Sequence, residues 1–182
     1  MQDREIIVVS GLPRSGTSMM MKMLEAGGLP LLTDGLRKPD EDNPGGYYEF
    51  ERVKKVKQDP SWLEEACGKG VKIISRLLYD LPDQYGYKVI FMQREMDEVL
   101  ASQRAMLARR GSSDPEVDDA EMGRLFARHL EEVARWLEEQ PNFQVLYVEY
   151  ARVLEDPRSE ARRVGSFLGL GLDVEAMAGV VD

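Results

Sequence analysis

The chain has 182 residues and a formal net charge of −9, and 43% of its residues are hydrophobic while 31% are charged. This length suffices for one domain with a sizeable core, and the composition is that of a soluble globular protein rather than a disordered or fibrous one. The acidic charge argues against nucleic acid as a partner. The single cysteine, Cys67, excludes an intrachain disulfide and a cysteine-based metal cage.

The N-terminal residues lead straight into an apolar strand, without the basic and then apolar leader of a signal peptide. The sequence also lacks an apolar run of about 18 residues, the length that a membrane-spanning helix needs. We therefore expect a cytoplasmic protein without a transmembrane segment.

Predicted strands and helices alternate along the chain. The strands are predicted at 5–10, 71–75, 88–93 and 143–148. The helices are predicted at 17–26, 49–58, 60–67, 97–110, 116–139 and 160–168, the last with Pro157 near its start. This alternation predicts a three-layer α/β fold, with a mostly parallel sheet of about four or five strands flanked by helices. No repeat or linker divides the chain, so residues 1–182 are predicted to form a single domain.

A long segment without predicted structure and a long amphipathic helix stand out among these elements. The segment 29–48 is rich in Pro, Gly, Asp and Asn and has no periodicity, which is typical of a lid or binding segment. The helix predicted at 116–139 is amphipathic, a pattern that suits either the core or a subunit interface. A homodimer is therefore compatible with the sequence.

The junction between the first strand and the first helix has the layout of a phosphate-binding loop, GLPRSGTS at 11–18. Its glycines permit a turn whose N–H groups converge on one point, and the helix adds the positive end of its dipole. Arg14 adds a planar set of donors, and Ser15, Thr17 and Ser18 add hydroxyl groups. The pattern predicts a site for a phosphate or sulfate group. The alternative is a tight turn before a capped helix, with no ligand.

The loop lacks two residues that nucleotide hydrolases and kinases use. Thr17 stands where their lysine would be, and the strand at 88–93 is followed by Arg94 instead of an aspartate that holds Mg²⁺. An arginine there attracts a further anion, and Ser102 in the next helix is close enough in sequence to share it. The alternative for Arg94 is a surface ion pair with Glu95 or Asp97.

These residues resemble the sulfotransferase family, whose donor is 3′-phosphoadenosine-5′-phosphosulfate (PAPS). LPRSGTS is similar to the family's phosphosulfate loop, REMDEVLAS to its second motif, and YARVLEDPRSEARRVGSFLGL to its late segment. The run DEDNPGGYYEFERV resembles a group of short bacterial members. The resemblance spans residues 6 to 170, nearly the whole chain.

The resemblance implies a P-loop fold and a transferase that moves a sulfuryl group to a hydroxyl or amine of a small-molecule or glycan acceptor. The 5′-phosphosulfate would be bound by Pro13, Arg14, Ser15, Gly16, Thr17 and Ser18. Arg94 and Ser102 would hold the 3′-phosphate. The family's donor needs no metal, and Arg14 would stabilise the charge that develops on the bridging oxygen as the sulfuryl group leaves.

The catalytic base is a point at which the sequence departs from the family's cytosolic branch, which carries a histidine on the second core strand. The corresponding strand here offers Ser75 and Arg76, and the single histidine, His129, lies in the long helix, where a surface or boundary role is favoured over that of a base. Other branches use a glutamate after the loop helix. Glu49 is the candidate at that position, with Glu51 behind it; the alternative for Glu49 is a helix N-terminal acid.

Two further expectations complete the predicted site. The cytosolic branch's late glycine-rich, lysine-containing motif for the 3′-phosphate is absent, and Arg109 or Arg110 are candidate replacements. The segment 29–48 is predicted to wall the acceptor site with Tyr47, Tyr48 and Trp62.

Two other functions remain open on the sequence alone. One is a small-molecule kinase or nucleotide hydrolase with a degenerate loop, and the other is a non-catalytic nucleotide-binding module.

Overall fold

Four parallel strands form the central sheet of the computed structural model, which describes residues 4–35, 37–44, 46–111 and 118–182. The strands are β1 Glu5–Ser10, β2 Gly70–Lys72, β3 Gly86–Gln93 and β4 Phe143–Glu149. Their order across the sheet is β2-β1-β3-β4, so the chain order reverses at β1. Ligands of open parallel sheets bind at the carboxyl edge beside such a reversal, and this is where the loop after β1 lies.

Helices cover both faces of this sheet. The helices are α1 Thr17–Ala26, α2 Leu63–Ala66, α3 Met96–Arg109, α4 Asp119–Glu138, α5 Tyr150–Glu155, α6 Pro157–Leu168 and α7 Val174–Gly179, with 3₁₀ helices at Glu51–Lys55 and Ser75–Asp80. Alternate residues of β1 enter two separate hydrophobic clusters: Ile6 and Val8 pack with α2 and α4, whereas Ile7 and Val9 pack with α1, α5, α6 and α7. The predicted three-layer α/β fold is therefore confirmed. No helix in the described part of the chain is long and apolar enough to span a membrane.

The predicted elements agree with the structure most closely at the start of the chain. β1 and α1 have the predicted bounds, and β3, β4 and α3 differ by a few residues at their ends. The strand predicted at 71–75 is wrong in its extent, because β2 ends at Lys72 and Ser75 begins a 3₁₀ helix. The 3₁₀ helix at 75–80, α5 and α7 were not predicted. The start of the helix predicted at 116–139 falls within 112–117, outside the described residues.

Candidate functional site

A cleft of about 270 Å³ opens at the carboxyl edge of the sheet, and each of the four strands supplies part of its wall. The loop after β1 contributes Arg14 and its neighbours, β2 ends in Lys72, Arg94 follows β3, and Tyr150 follows β4. One side is lined by Arg37, Asp42, Asn43, Tyr47 and Glu49. The cleft is therefore formed by chain segments that are far apart in sequence.

The loop itself has a conformation that side chains rarely adopt. Gly16 has a φ of 100°, and a Cβ atom there would lie 2.6 Å from Cδ2 of Tyr150, so only glycine fits. Arg14 has a φ of 67° although it is not glycine, a strained backbone of the kind that clusters at functional sites. Ser15 is buried and its Oγ atom donates to the carbonyl of Leu12 at 2.6 Å, so its hydroxyl stabilises the loop from within.

The N-terminus of α1 points its backbone donors at this cleft. Gly16 is the N-cap residue, and no described side chain caps the helix there. The N–H groups of the first turn have no partners within a helix, and with the helix dipole they favour an anion. Thr17 and Ser18, which begin α1, line the cleft.

Three residues of the two predicted motifs are in direct contact. Nε of Arg14 donates to Oγ of Ser102 at 2.9 Å, and Nη1 of Arg94 donates to the carbonyl of Arg14 at 3.0 Å. Nη2 of Arg14 also donates to the carbonyl of Asp42 at 3.1 Å. The structure thus brings the loop, the residue after β3 and the middle of α3 together at one point.

Arg94 faces the cleft rather than bulk solvent. Its guanidinium lies 4.3 Å from the ring centroid of Tyr150, and its side chain is 21% exposed. Its acidic partner is Glu98, at 3.1 Å, rather than Glu95 or Asp97 as the surface alternative supposed.

Lys72 is a cleft residue that the sequence analysis missed. Its Nζ atom donates to Oγ of Ser18 and to the carbonyl of Tyr47, both at 2.8 Å. Burial lowers the pKa of Lys72 to about 8; Glu49 opposes this change, and Arg37 and Arg14 add to it. The available signal was a lysine that ends an apolar parallel strand beside the loop strand, but the strand was predicted to continue to Ser75.

The geometry separates the two candidate bases. Glu49 lines the cleft, and its Oε1 atom accepts from Nη1 of Arg37 at 2.9 Å. Glu51 pairs with Lys54, has a side chain that is 41% exposed and is not among the described residues that line the cleft. Of the two carboxylates, only Glu49 therefore lies among the described residues that line the cleft.

The two candidate replacements for the absent 3′-phosphate motif also differ. Arg110 lines the cleft, next to Met106. Arg109 instead pairs with the carboxylate of Asp42, whose side chain is almost fully buried. Arg14 and Arg109 therefore both hold the segment around Asp42 against the cleft.

His129 lies outside the described cleft lining, but it is not a simple surface residue. It is half-buried on α4, and its Nε2 atom shares a hydrogen bond of 2.8 Å with Oγ of Ser75. Burial lowers the pKa of His129, Arg76 lowers it further, and Glu132 opposes the change. The histidine thus joins α4 to the segment that follows β2.

Two of the three residues predicted for the aromatic wall line a cavity. Tyr47 lines the cleft, and Tyr48 lines a neighbouring cavity. The prediction for Trp62 is wrong: its side chain is 0% exposed and packs in the core, with its ring centroid 5.4 Å from that of Phe50. A tryptophan covered on all sides by protein cannot contact an acceptor.

The cleft has an excess of positive charge, whereas the net charge of the whole chain is negative. Five cations, Arg14, Arg37, Lys72, Arg94 and Arg110, line it together with the acids Asp42 and Glu49, in a chain with a net charge of −9. Such a local excess of positive charge with inward-facing donors attracts an anion. Among the described residues, no group of three or more His, Cys, Asp or Glu side chains is placed to hold a metal ion.

The fold and the loop define a P-loop-type α/β protein, and the sulfotransferase domain family matches residues 4–182. The chain therefore belongs to the sulfotransferase domain family. Among curated proteins, none matches the sequence significantly.

Solved structures of sulfotransferases are similar to this chain in fold. A sulfotransferase from Mycobacterium tuberculosis is 20% identical with a TM-score of 0.64, covering 98% of this chain and 72% of that one. A sulfotransferase from Alicyclobacillus acidocaldarius is 14% identical with a TM-score of 0.55, covering 94% and 85%. Retinol dehydratase, solved with androsterone and the inactive cofactor PAP, is 16% identical with a TM-score of 0.51, covering 97% and 63%. The chain thus spans less than two thirds of the length of retinol dehydratase.

Proposed function

We propose that this chain is a PAPS-dependent sulfotransferase that moves a sulfuryl group to a hydroxyl or amine of a small-molecule or glycan acceptor. The observation that carries the proposal is the contact of Arg14 with both Ser102 and Arg94, within a cationic cleft at the N-terminus of α1. Family membership and the PAP bound to retinol dehydratase support it.

The proposed donor position follows from the anion-binding groups. The 5′-phosphosulfate lies against the N–H groups of residues 16–18 and against Arg14, where the helix dipole favours negative charge. The N–H group of Ser15 instead donates to the carbonyl of Leu12. The 3′-phosphate lies against Arg94 and Ser102, with Arg110 as a further cation in the same cleft. Pro13 lines the cleft wall beside the loop, and Ser15 contributes through the loop's internal hydrogen bond.

The proposed reaction is a direct displacement at sulfur. The acceptor oxygen or nitrogen forms a bond to sulfur while the bond from sulfur to the bridging phosphate oxygen breaks, and 3′-phosphoadenosine-5′-phosphate (PAP) departs. Glu49 takes the acceptor proton on Oε2, since Arg37 holds Oε1. Arg14 and Lys72 stabilise the charge that develops on the bridging and sulfuryl oxygens.

Calorimetric titration of the protein with PAP and with ATP plus Mg²⁺ tests the donor site. We expect PAP to bind with a Kd of about 1–100 μM and ATP with Mg²⁺ to bind more weakly. Arg94→Ala should weaken PAP binding at least about tenfold, because it removes a charged donor. Arg128→Ala is the matched control, since Arg128 is an exposed arginine of α4 paired only with Glu132 among the described residues. Tighter binding of ATP with Mg²⁺ would indicate a kinase or hydrolase, and no binding of either would refute a nucleotide site.

Turnover distinguishes an enzyme from a binding module. PAPS and a panel of phenols, alcohols, amines and sugars should yield PAP in an acceptor-dependent manner. Binding of PAP without turnover on any acceptor, and without any effect of Glu49→Gln, would favour the non-catalytic module.

We also propose the domain organisation, source, location and oligomeric state of the protein. The chain forms a single sulfotransferase-like domain, which its one continuous sheet supports. The protein is bacterial, which its resemblance to short bacterial members and its similarity in fold to bacterial sulfotransferases support. We further propose a cytoplasmic location. A homodimer is supported by amphipathic α4, on which Leu125 is 55% exposed.

A further inference from the structure

A second cavity of about 290 Å³ adjoins the proposed donor cleft. Arg37, Tyr47 and Glu49 line both spaces. Tyr48, Lys38 and Thr33 lie on the far side, within the second cavity. The carboxylate proposed as the base thus stands at the boundary between the two spaces, where an acceptor in the second cavity would meet a donor in the first.

Arg37 is fixed at this boundary by two contacts. Its guanidinium lies 3.5 Å from the ring centroid of Tyr47, in cation–π geometry, and its Nη1 atom donates to Oε1 of Glu49 at 2.9 Å. The Nη2 atom of the same guanidinium is buried and has no hydrogen-bond partner among the described residues. A buried charged N–H group without an acceptor is unfavourable, so this atom is a donor that a ligand oxygen would satisfy.

The planar fork of arginine restricts where that ligand oxygen lies. Nη1 and Nη2 are attached to one carbon, so the fork allows an oxygen bound to Nη2 to lie next to a group bound to the Glu49 carboxylate. A ligand that presents its reacting hydroxyl to Glu49 can thus present a second oxygen, on the neighbouring carbon, to Nη2. Two hydroxyl groups on adjacent carbons have this spacing.

The two tyrosines give the cavity fixed walls. The hydroxyl of Tyr47 donates to Oδ1 of Asp40 at 2.6 Å, and that of Tyr48 donates to Oε2 of Glu25 at 3.0 Å. Tyr48 also has a φ of 55°, which directs the chain away from a regular strand at this point. Both rings are therefore held in place before any ligand enters.

We propose that the second cavity holds the acceptor, and that Arg37 selects acceptors in which a second hydroxyl neighbours the reacting one, that is, 1,2-diols. This inference rests on the proposed function, since it assigns the acceptor side of the same reaction. Arg37 is a positioning residue that acts through the second hydroxyl, and Glu49 is the residue that accepts the proton.

The test compares two probes that differ by one hydroxyl, trans-cyclohexane-1,2-diol and cyclohexanol, on the PAP-loaded protein. NMR titration should show that the diol binds at least about tenfold more tightly than cyclohexanol. Arg37→Met should remove this preference, and Arg37→Lys should retain only part of it, because lysine keeps the charge but loses the fork. Arg52→Met is the matched control, an exposed arginine paired with Asp59 outside both spaces.

A kinetic measurement separates positioning from general damage. With PAPS as donor, Arg37→Met should raise the KM for the diol at least about tenfold more than the KM for cyclohexanol. Glu49→Gln should retain diol binding, since an amide oxygen still accepts from Arg37, but should lose turnover.

The outcomes are distinguishable. PAP binding with no diol preference, or with a preference that survives Arg37→Met, overturns this inference and leaves the donor site intact. Binding of neither probe to the PAP-loaded protein overturns it as well. Failure of PAP to bind the unaltered protein overturns the proposed function, and the inference with it.

Discussion

Nε of Arg14 donates to Oγ of Ser102 over 2.9 Å, which links the loop after β1 to the middle of α3. The two residues belong to separate sequence motifs, and each was predicted to bind a different anionic group of one donor. Their contact means that the two proposed subsites adjoin, and that Ser102 orients Arg14 in the free protein.

Replacing Ser102 with alanine should therefore weaken donor binding in two ways. It removes a hydroxyl group from the proposed site, and it removes the hydrogen-bond acceptor that orients Arg14. We expect Ser102→Ala to weaken PAP binding about tenfold, with little change in Tm. Calorimetry measures the affinity, and Ser166→Ala on the exposed side of α6 is the control. Unchanged affinity in Ser102→Ala would remove Ser102 from the donor site.

Lys72 should give donor binding a dependence on pH. Its pKa is about 8 in the free protein, and a bound anion favours the protonated form and so raises that pKa. The complex then binds more protons than the free protein above about pH 8, so PAP affinity should fall by up to about tenfold per pH unit there. Lys72→Arg keeps its charge throughout this range and should flatten the profile. An unaltered protein whose affinity is constant between about pH 7 and pH 9.5 would contradict this role for Lys72.

Glu49→Gln should separate binding from chemistry. The amide keeps the contact with Arg37 but is not a base, so kcat should fall about 10²- to 10⁴-fold while PAP affinity stays within about threefold. Glu51→Gln is the matched control, because Glu51 is two positions away in the sequence but pairs with Lys54 outside the cleft. Equal losses of kcat in both variants would show that Glu49 has no special part in proton transfer.

Gly16→Ala should disrupt the loop through a specific contact. The added Cβ meets the ring of Tyr150 at 2.6 Å, at a φ of 100°. We expect the free energy of unfolding to fall by about 3 kcal/mol, and PAP binding to be lost. Gly68→Ala is the matched comparison, since Gly68 has a φ of 75° but nothing within 4 Å of its Cβ position. It should cost only about 1 kcal/mol, and equal losses measured by urea unfolding would show that backbone strain alone matters at Gly16.

His129 should make stability depend on mildly acidic pH. Burial holds its folded-state pKa below the usual 6.5, so the unfolded state binds more protons between those two values. The contribution of His129 is complete above about pH 6.5 and is lost as pH falls through the folded-state pKa. When the pH is lowered from about 7 to about 5, the Tm of His129→Gln should therefore decrease less than the Tm of the unaltered protein. Parallel Tm profiles of the two proteins would rule out this titration.

The parts of the fold that could be predicted from sequence are those with local signals. β1 and α1 have clear bounds because a β-branched run meets Gly11 at one end and the helix meets Gly27 and Gly28 at the other. The parallel order of the strands followed from their alternation with helices. The loop and the Arg94–Ser102 spacing were recognisable for the same reason, since each is one continuous segment.

The parts that were missed depend on contacts between distant segments. Lys72 becomes a cleft residue only because Tyr47 and Ser18 pack around its Nζ atom. The contact of Ser75 with His129 spans 54 residues and has no local pattern. Trp62 is an aromatic residue whose burial is decided by the packing of α2 against the sheet. The sequence identifies Trp62 as an aromatic residue, but it does not indicate whether the side chain packs in the core or lines a cavity.

The order β2-β1-β3-β4, with cleft residues at or just after the carboxyl end of each strand, also determines how a bound anion affects the stability of the chain. Arg14, Lys72, Arg94 and Tyr150 are each held in position by a different strand of the sheet. A ligand that contacts all four can bind only when every strand is in place, so its binding energy is added to the stability of the whole sheet. At a ligand concentration about 100 times Kd, this linkage raises the free energy of unfolding by about 2.7 kcal/mol. The melting temperature of the protein thus reports occupancy of the cleft, and a thermal scan against a collection of nucleotides identifies the donor before any acceptor is known.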